Sequence, residues 1–307
     1  METAELDVVT GAFSYTGKYI TRQLLSMGKR VRVLTLTGHP NREKLFSGEV
    51  TALPFNFDNP SQLTKSLQGV TTLYNSYWIR FPYGQVTFKR AVENTRTLIE
   101  CAKEAGIRRI VHISITNASE ESPLSYFRGK GLVEKIIIHS KPSYAIIRPT
   151  VIFGAEGILI NNIAWHLRRL PIFAVPGSGD YRIQPVFVED VAEIAVSVAQ
   201  RDDNIVMDAV GPDIYTFDEL VRLISDKIRT RVWIVHLTPR LVLLFTKLLS
   251  YALRDIVITR DEVTGLMSNL LISEGSPTAK TRLSEWLEQN ADNVGVKYAS
   301  ELERHYR

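Results

Sequence analysis

The 307-residue sequence predicts an α/β protein with an open, doubly wound parallel sheet and a smaller, mostly helical C-terminal lobe. Three observations predict it. An apolar strand opens the chain and runs through a glycine-bearing turn into an amphipathic helix, Asp7 to Ile20. Strand and helix patterns then alternate to about residue 200, as they do where helices cover both faces of a parallel sheet. From Gly211 onward helical patterns dominate.

Taken in order, Asp7 to Thr10 is a buried strand. In the turn after it, Gly11 lets the chain reverse and Gly17 lets the new helix lie close to the strand. Phe13, Ser14, Tyr15 and Thr16 lie between them, where helix-start N–H groups suit a pyrophosphate; Ser14 stands where a Rossmann fingerprint has its middle glycine, and its hydroxyl can donate. The helix ends at Gly28, and Val31 to Thr35 is the second strand. Leu53 to Asp58 reads as the third strand, Asn59 to Gly69 as a helix and Val70 to Asn75 as the fourth strand. A long helix, Phe88 to Ala105, carries Val92, Thr95, Leu98, Ile99 and Ala102 at helical spacing. Arg109 to Ser114 is the fifth strand, Tyr126 to His139 a helix and Tyr144 to Pro149 the sixth strand. After an excursion from Thr150 to Arg182, Gln184 to Val188 reads as a strand returning to the sheet before a helix near Asp190.

These patterns divide the chain into a Rossmann-type nucleotide domain, 1–150 and about 183–210, and a cap lobe, about 151–182 and 211–307. The cap's helices are expected at Thr216 to Lys227, Pro239 to Leu253, Asp261 to Leu271, Thr281 to Asn290 and Tyr298 to Tyr306. Such a lobe normally closes one side of a ligand cleft at the carboxyl ends of the strands.

The 45% hydrophobic and 23% charged composition is that of a globular protein without a disordered tract. The net charge of +4 is spread among interleaved acids and bases, which argues against nucleic-acid binding. A single cysteine, Cys101, excludes an internal disulfide and a cysteine metal site, and the six histidines show no ligand spacing, so no metal is expected. The start of the chain has no signal-peptide pattern, and the expected location is cytoplasmic. Leu241 to Leu253 is too short to span a bilayer and reads as a buried or interfacial helix. A homodimer, or a peripheral contact with a membrane or a complex, stays open.

Tyr126 and Lys130, four residues apart, share one helix face. An ammonium there favours the phenolate and can reach a nicotinamide ribose, which places an acid/base group beside a hydride donor. With the turn at Thr10 to Gly17, Asp58, Asn75-Ser76, Val92 to Thr95, Arg148-Pro149 and Val188 to Ala192, this pair resembles the short-chain dehydrogenase/reductase superfamily over residues 7 to about 200. The branches it looks like are the extended and atypical ones; more loosely, the C-terminal lobe is similar to the NmrA-like group and to the nucleotide-binding accessory subunit of respiratory complex I.

The resemblance implies roles for the residues of this chain. Gly11, Phe13, Ser14, Tyr15, Thr16 and Gly17 would hold the pyrophosphate, Asp58 and Asn59 would face the adenine, and Asn75 and Ser76 would lie along the cofactor. Tyr126 would be the general acid/base with Lys130 as its partner on the ribose, while Pro149, Thr150 and Val151 would border the nicotinamide. Two departures stand out. The hydroxyl that polarises the substrate in active members falls on Ile115, leaving Ser114 or Thr116 as substitutes. The acid that holds the ribose diol in NAD enzymes falls on Thr35; Thr37, His39 and Arg42 follow and suit a ribose phosphate, so NADP is expected over NAD.

The leading expectation is an NAD(P)-dependent oxidoreductase acting on a small or medium organic substrate. A catalytically silent NADP(H)-binding sensor or assembly subunit comes second, favoured by Ile115 and the greasy Leu241 to Leu253 helix. A sugar-nucleotide epimerase or dehydratase comes third, for want of a basic cluster in the second lobe.

Overall fold

In the computed structural model, which describes residues 5–35, 45–46 and 48–305, the chain divides into two compact units. Met1–Pro149 and Val191–Asp208 form the first; Thr150–Asp190 and Ala209–Arg307 form the second. The chain runs β1 (Leu6–Thr10), α1 (Tyr15–Ser26), β2 (Arg30–Thr35), β3 (Val50–Pro54), α2 (Pro60–Leu67), β4 (Thr72–Asn75), α3 (Phe88–Glu104), β5 (Arg109–Ile113), α4 (Ser125–Ile138) and β6 (Ser143–Pro149). It continues through β7 (Val151–Phe153), α5 (Ile158–Leu167), β8 (Ile172–Pro176), β9 (Arg182–Ile183), β10 (Pro185–Phe187), α6 (Val188–Ala199) and β11 (Ile205–Ala209). The last elements are β12 (Tyr215–Thr216), α7 (Phe217–Lys227), β13 (Trp233–Leu237), α8 (Pro239–Leu253), α9 (Arg260–Met267), α10 (Leu283–Asn290) and α11 (Glu301–His305).

The main sheet has the order β3-β2-β1-β4-β5-β6-β11, and β1 to β6 pair in parallel. This is the doubly wound Rossmann-type architecture the sequence predicts. Chain order reverses between β1 and β4, where Thr10 lies level with Leu34 on one side and Asn75 on the other. Ligands of open α/β sheets bind beyond the strand ends at such a switch point. Fully buried Val8, Leu63, Leu67, Leu73, Leu98, Ile110 and Val133 clamp α2, α3 and α4 to the sheet. Burying each such side chain contributes about 2 kcal/mol. A separate core in the second unit gathers Phe153, Ile160, Leu220, Val221, Ile224 and Leu287. There α7 starts on a capping box, in which Thr216 and Glu219 each satisfy the other's backbone N–H.

Two strand assignments are corrected. The third strand lies at Val50–Pro54 instead of Leu53 to Asp58. Its pairing with β2 ends as Phe55 N–H donates to the Thr35 carbonyl, and the Asn56 side chain then accepts from Asp58 N–H and turns the chain away. Nor does the strand around Val186 return to the main sheet. It pairs with β7, while the seventh strand of the main sheet is β11, half-exposed and interrupted by Asp208, so its apolar signal is weak. The second unit also holds short strands the helical reading omits, among them β13, paired with β8.

Candidate functional site

The turn after β1 is shaped by its own backbone. Gly11 takes φ +65°, which side chains resist, and a Cβ there would sit 2.8 Å from Ser76 Oγ. Its carbonyl accepts from Ser14 N–H at 2.8 Å and from the Ser14 hydroxyl at 2.6 Å. Gly17 lies flush on this turn, since a Cβ would be driven into the Gly11 carbonyl oxygen. Ser14 is the N-cap of α1 but makes no side-chain cap, and no acid stands in the first turn. The positive end of the helix dipole therefore meets no carboxylate from its own first turn, an arrangement that accepts an anion. The Ser14 hydroxyl donates within the turn and so helps to shape the cradle.

Beside the turn, Thr10 ties the ends of β1 and β4 together. Its hydroxyl donates to Asn75 Oδ1 at 3.0 Å and accepts from the N–H groups of Ser76 and Tyr77 at 3.0 and 3.2 Å. Ser76 Oγ donates back to the Thr10 carbonyl at 2.6 Å. Asn75 is fully buried, with its Nδ2 3.2 Å from Nδ1 of the equally buried His112. Burial, and then the charge of Lys130, hold that imidazole well below its usual pKa. Asn75 thus braces the strand ends, and half-buried Ser76 lies against the turn.

The other expected cofactor residues are dispersed. Phe13 packs on Phe46 with ring centres 5.7 Å apart, Tyr15 packs edge-on against Tyr19, and Thr16 is half-buried in the first turn of α1. Thr35 ends β2, while Thr37, His39 and Arg42 lie outside the described residues. Asp58 has a side chain 85% exposed and lies 3.5 Å from Arg90. Asn59 caps α2, accepting from Gln62 N–H at 3.1 Å. That bond gives Asn59 a structural task in the cap of α2. Pro149 ends β6, its carbonyl accepting from Thr116 N–H. In the second unit, the Thr150 hydroxyl donates to the Gln184 carbonyl and Val151 opens β7.

Tyr126 and Lys130 both lie on α4, one turn apart. The Tyr126 ring meets Trp78 and Phe88 edge-on at 6.0 and 5.9 Å. Lys130, only 3% exposed, donates from Nζ to the Ile113 carbonyl at 2.7 Å, and its Nζ lies 4.8 Å from the centre of the Trp78 ring. Burial pushes the amine down to about 7, against the pull of Glu134. One turn further, buried Glu134 accepts the Ser114 hydroxyl and is forked by Arg148, at 3.0 Å from Nε and 2.5 Å from Nη2. The Ser114 hydroxyl thus donates to a carboxylate, and Ile115, half-buried, brings no hydroxyl.

Sequence reasoning missed Glu134 and the placement of His112. Glu134 had a legible signal, since Tyr126, Lys130 and Glu134 fall at i, i+4 and i+8 of one ridge. His112 had none, because only the fold brings it near Lys130. The buried atoms Trp78 Nε1 and His112 Nε2 lack a hydrogen-bond partner among the described residues.

The switch point, the glycine cradle and the uncapped helix start define an α/β protein of the dinucleotide-binding class. More narrowly, a match over residues 5–287 shows that the chain belongs to the NmrA-like family. It is 28% identical over 231 residues to NADH dehydrogenase [ubiquinone] 1 alpha subcomplex subunit 9, mitochondrial, of Arabidopsis thaliana, covering 72% of this chain and 57% of that one. In fold it is similar to Citrobacter sp. triphenylmethane reductase, solved with NADP(H), at a TM-score of 0.77 and 16% identity, covering 92% of this chain and 99% of that one. The Escherichia coli NADPH-dependent quinone oxidoreductase QOR2, solved with NADPH, gives a TM-score of 0.74 at 21% identity, with the same coverage.

Proposed function

We propose that this chain binds NADP(H), with NAD(H) as second choice, and acts as an oxidoreductase on a small or medium organic substrate. The observation that carries the nucleotide is the cradle itself: Gly11 at φ +65° and Gly17 flush against the Gly11 carbonyl leave backbone where side chains would obstruct a pyrophosphate. The NADP(H) and NADPH named for the two solved neighbours support the same choice.

Bound NADPH supplies a hydride. The chain's residues supply the rest. The turn and the start of α1 would hold the diphosphate, and the Tyr126 phenol would supply a proton to the oxygen of a carbonyl or quinone substrate. Lys130, held by Ile113 and Trp78, supports that phenol electrostatically. Pro149 borders the nicotinamide, and Arg42 and Thr37 select the ribose phosphate. A quinone or dye acceptor, as named for the two neighbours, is the first substrate class to assay. The proposed compartment is the cytoplasm.

A second reading is favoured by the commitments of Lys130 to Ile113 and of Ser114 to Glu134: the nucleotide is held without turnover, in a subunit of a larger assembly. One experiment separates them. NADPH and NADH are titrated by fluorescence, and NADPH oxidation is then followed with quinone and dye acceptors for the wild type and Tyr126→Phe. Oxidation that falls at least about a hundredfold in the variant supports catalysis. Tight binding with no oxidation by either protein supports the held nucleotide, equal oxidation by both removes Tyr126 from the mechanism, and absence of binding sinks both readings.

A further inference from the structure

In the second unit, α8 turns its apolar side outward. Of its 15 residues only Val242 is buried. Leu241, Leu244, Phe245, Leu248 and Tyr251 are exposed, Leu248 by 64% and Tyr251 by 89%, and their spacing puts them on one helix face. The helix packs against β8, whose exposed Ile172 pairs in register with Trp233 of β13, 74% exposed; Val235 is exposed two residues on. A water-facing surface rarely carries so much apolar area without a partner.

The charge around this face has one sign. Between Ile228 and Arg254 stand Arg229, Arg231, Arg240, Lys247 and Arg254, with no Asp or Glu. Arg240, Lys247 and Arg254 repeat every seven residues, a row along one flank of the apolar face. The nearest following acid, Asp255, is buried and accepts from the Tyr298 hydroxyl and from the Glu301 and Leu302 N–H groups. On a neighbouring element, Asp218 faces His236. A second copy seated on the face would bring this cationic row against itself. A bilayer with anionic headgroups offers an apolar medium and a negative surface together, and tryptophan and tyrosine favour that boundary.

We propose that α8 and β13 lie on the surface of an anionic bilayer, with Leu241, Leu244, Phe245 and Leu248 in the acyl boundary and Arg240 and Lys247 on lipid phosphates. The helix lies in the plane of the surface; among the described residues no helix is long and apolar enough to cross a membrane. This inference does not depend on the nucleotide.

The test is co-sedimentation of the full chain with phosphatidylcholine vesicles and with vesicles in which phosphatidylglycerol replaces part of that lipid. The chain is expected to bind the anionic vesicles and to be released by salt. Phe245→Glu combined with Leu248→Glu weakens the partition by about tenfold or more, and Lys247→Gln by about fivefold. All three residues are exposed, so both variants keep the wild-type circular dichroism and melting point. No binding to anionic vesicles, or binding that the double variant leaves unchanged, overturns the proposal. So does a concentration-dependent dimer, lost in the double variant, from a chain that ignores vesicles.

Discussion

The turn at Gly11 to Gly17 and the pair at Tyr126 and Lys130 are both motifs of a few residues in the first unit, but they are made of different material. The turn is a backbone object. Its shape follows from where a Cβ is tolerated, with Ser76 as a distant neighbour, and both bonds from Ser14 to the Gly11 carbonyl close within three residues. The pair is a side-chain object. What Lys130 does is set by the Ile113 carbonyl, 17 residues away, and by the Trp78 ring, and what Ser114 does is set by Glu134, 20 residues away. A motif written in backbone therefore carries its shape with it, whereas one written in side chains acquires partners that redirect it.

That contrast breaks at measurable points. The largest effect is expected from Gly17→Ala, whose new methyl meets the Gly11 carbonyl; NADPH affinity should fall by about a hundredfold or more in a fluorescence titration. Affinity within a few-fold of the wild type would refute the cradle. Glu134→Ala comes next. It strands the Arg148 guanidinium and the Ser114 hydroxyl, and urea unfolding should show a loss of about 3 kcal/mol. A loss under about 1 kcal/mol would mean that solvent satisfies both groups and that Ser114 is free to act.

Lys130 tests the side-chain motif through pH. Burial lowers its pKa from 10.5 to about 7, so between those values the unfolded chain holds a proton that the folded chain lacks. Its contribution to stability is present in full above the unfolded value and is lost as pH falls through about 7. Lys130→Met should remove a rise in unfolding free energy on the order of a few kcal/mol between these pH limits, read from denaturant melts. Equal slopes for variant and wild type would show that the amine titrates in contact with water. The smallest effect sharpens the comparison from the other side. Asn59→Ala should cost about 1 kcal/mol by loss of the α2 cap and leave NADPH affinity unchanged; a weaker affinity would restore Asn59 to the adenine site.

By itself the sequence determined the doubly wound sheet, five of its first six strands and the glycine turn, while it misplaced the third strand. Apolar periodicity and glycine placement act within a few residues, and they survive whatever packs around them. It also marked Tyr126 and Lys130 as one helix face, and Leu241 to Leu253 as a helix. Only the tertiary structure decided that the seventh strand is Ile205–Ala209, that the strand near Val186 pairs with β7, and that Ser114 is tied to Glu134. It also decided that Lys130 is sealed under Trp78 and that α8 shows its leucines to the outside. Each of these depends on which distant group fills the space beside a side chain, and no spacing along the chain encodes that.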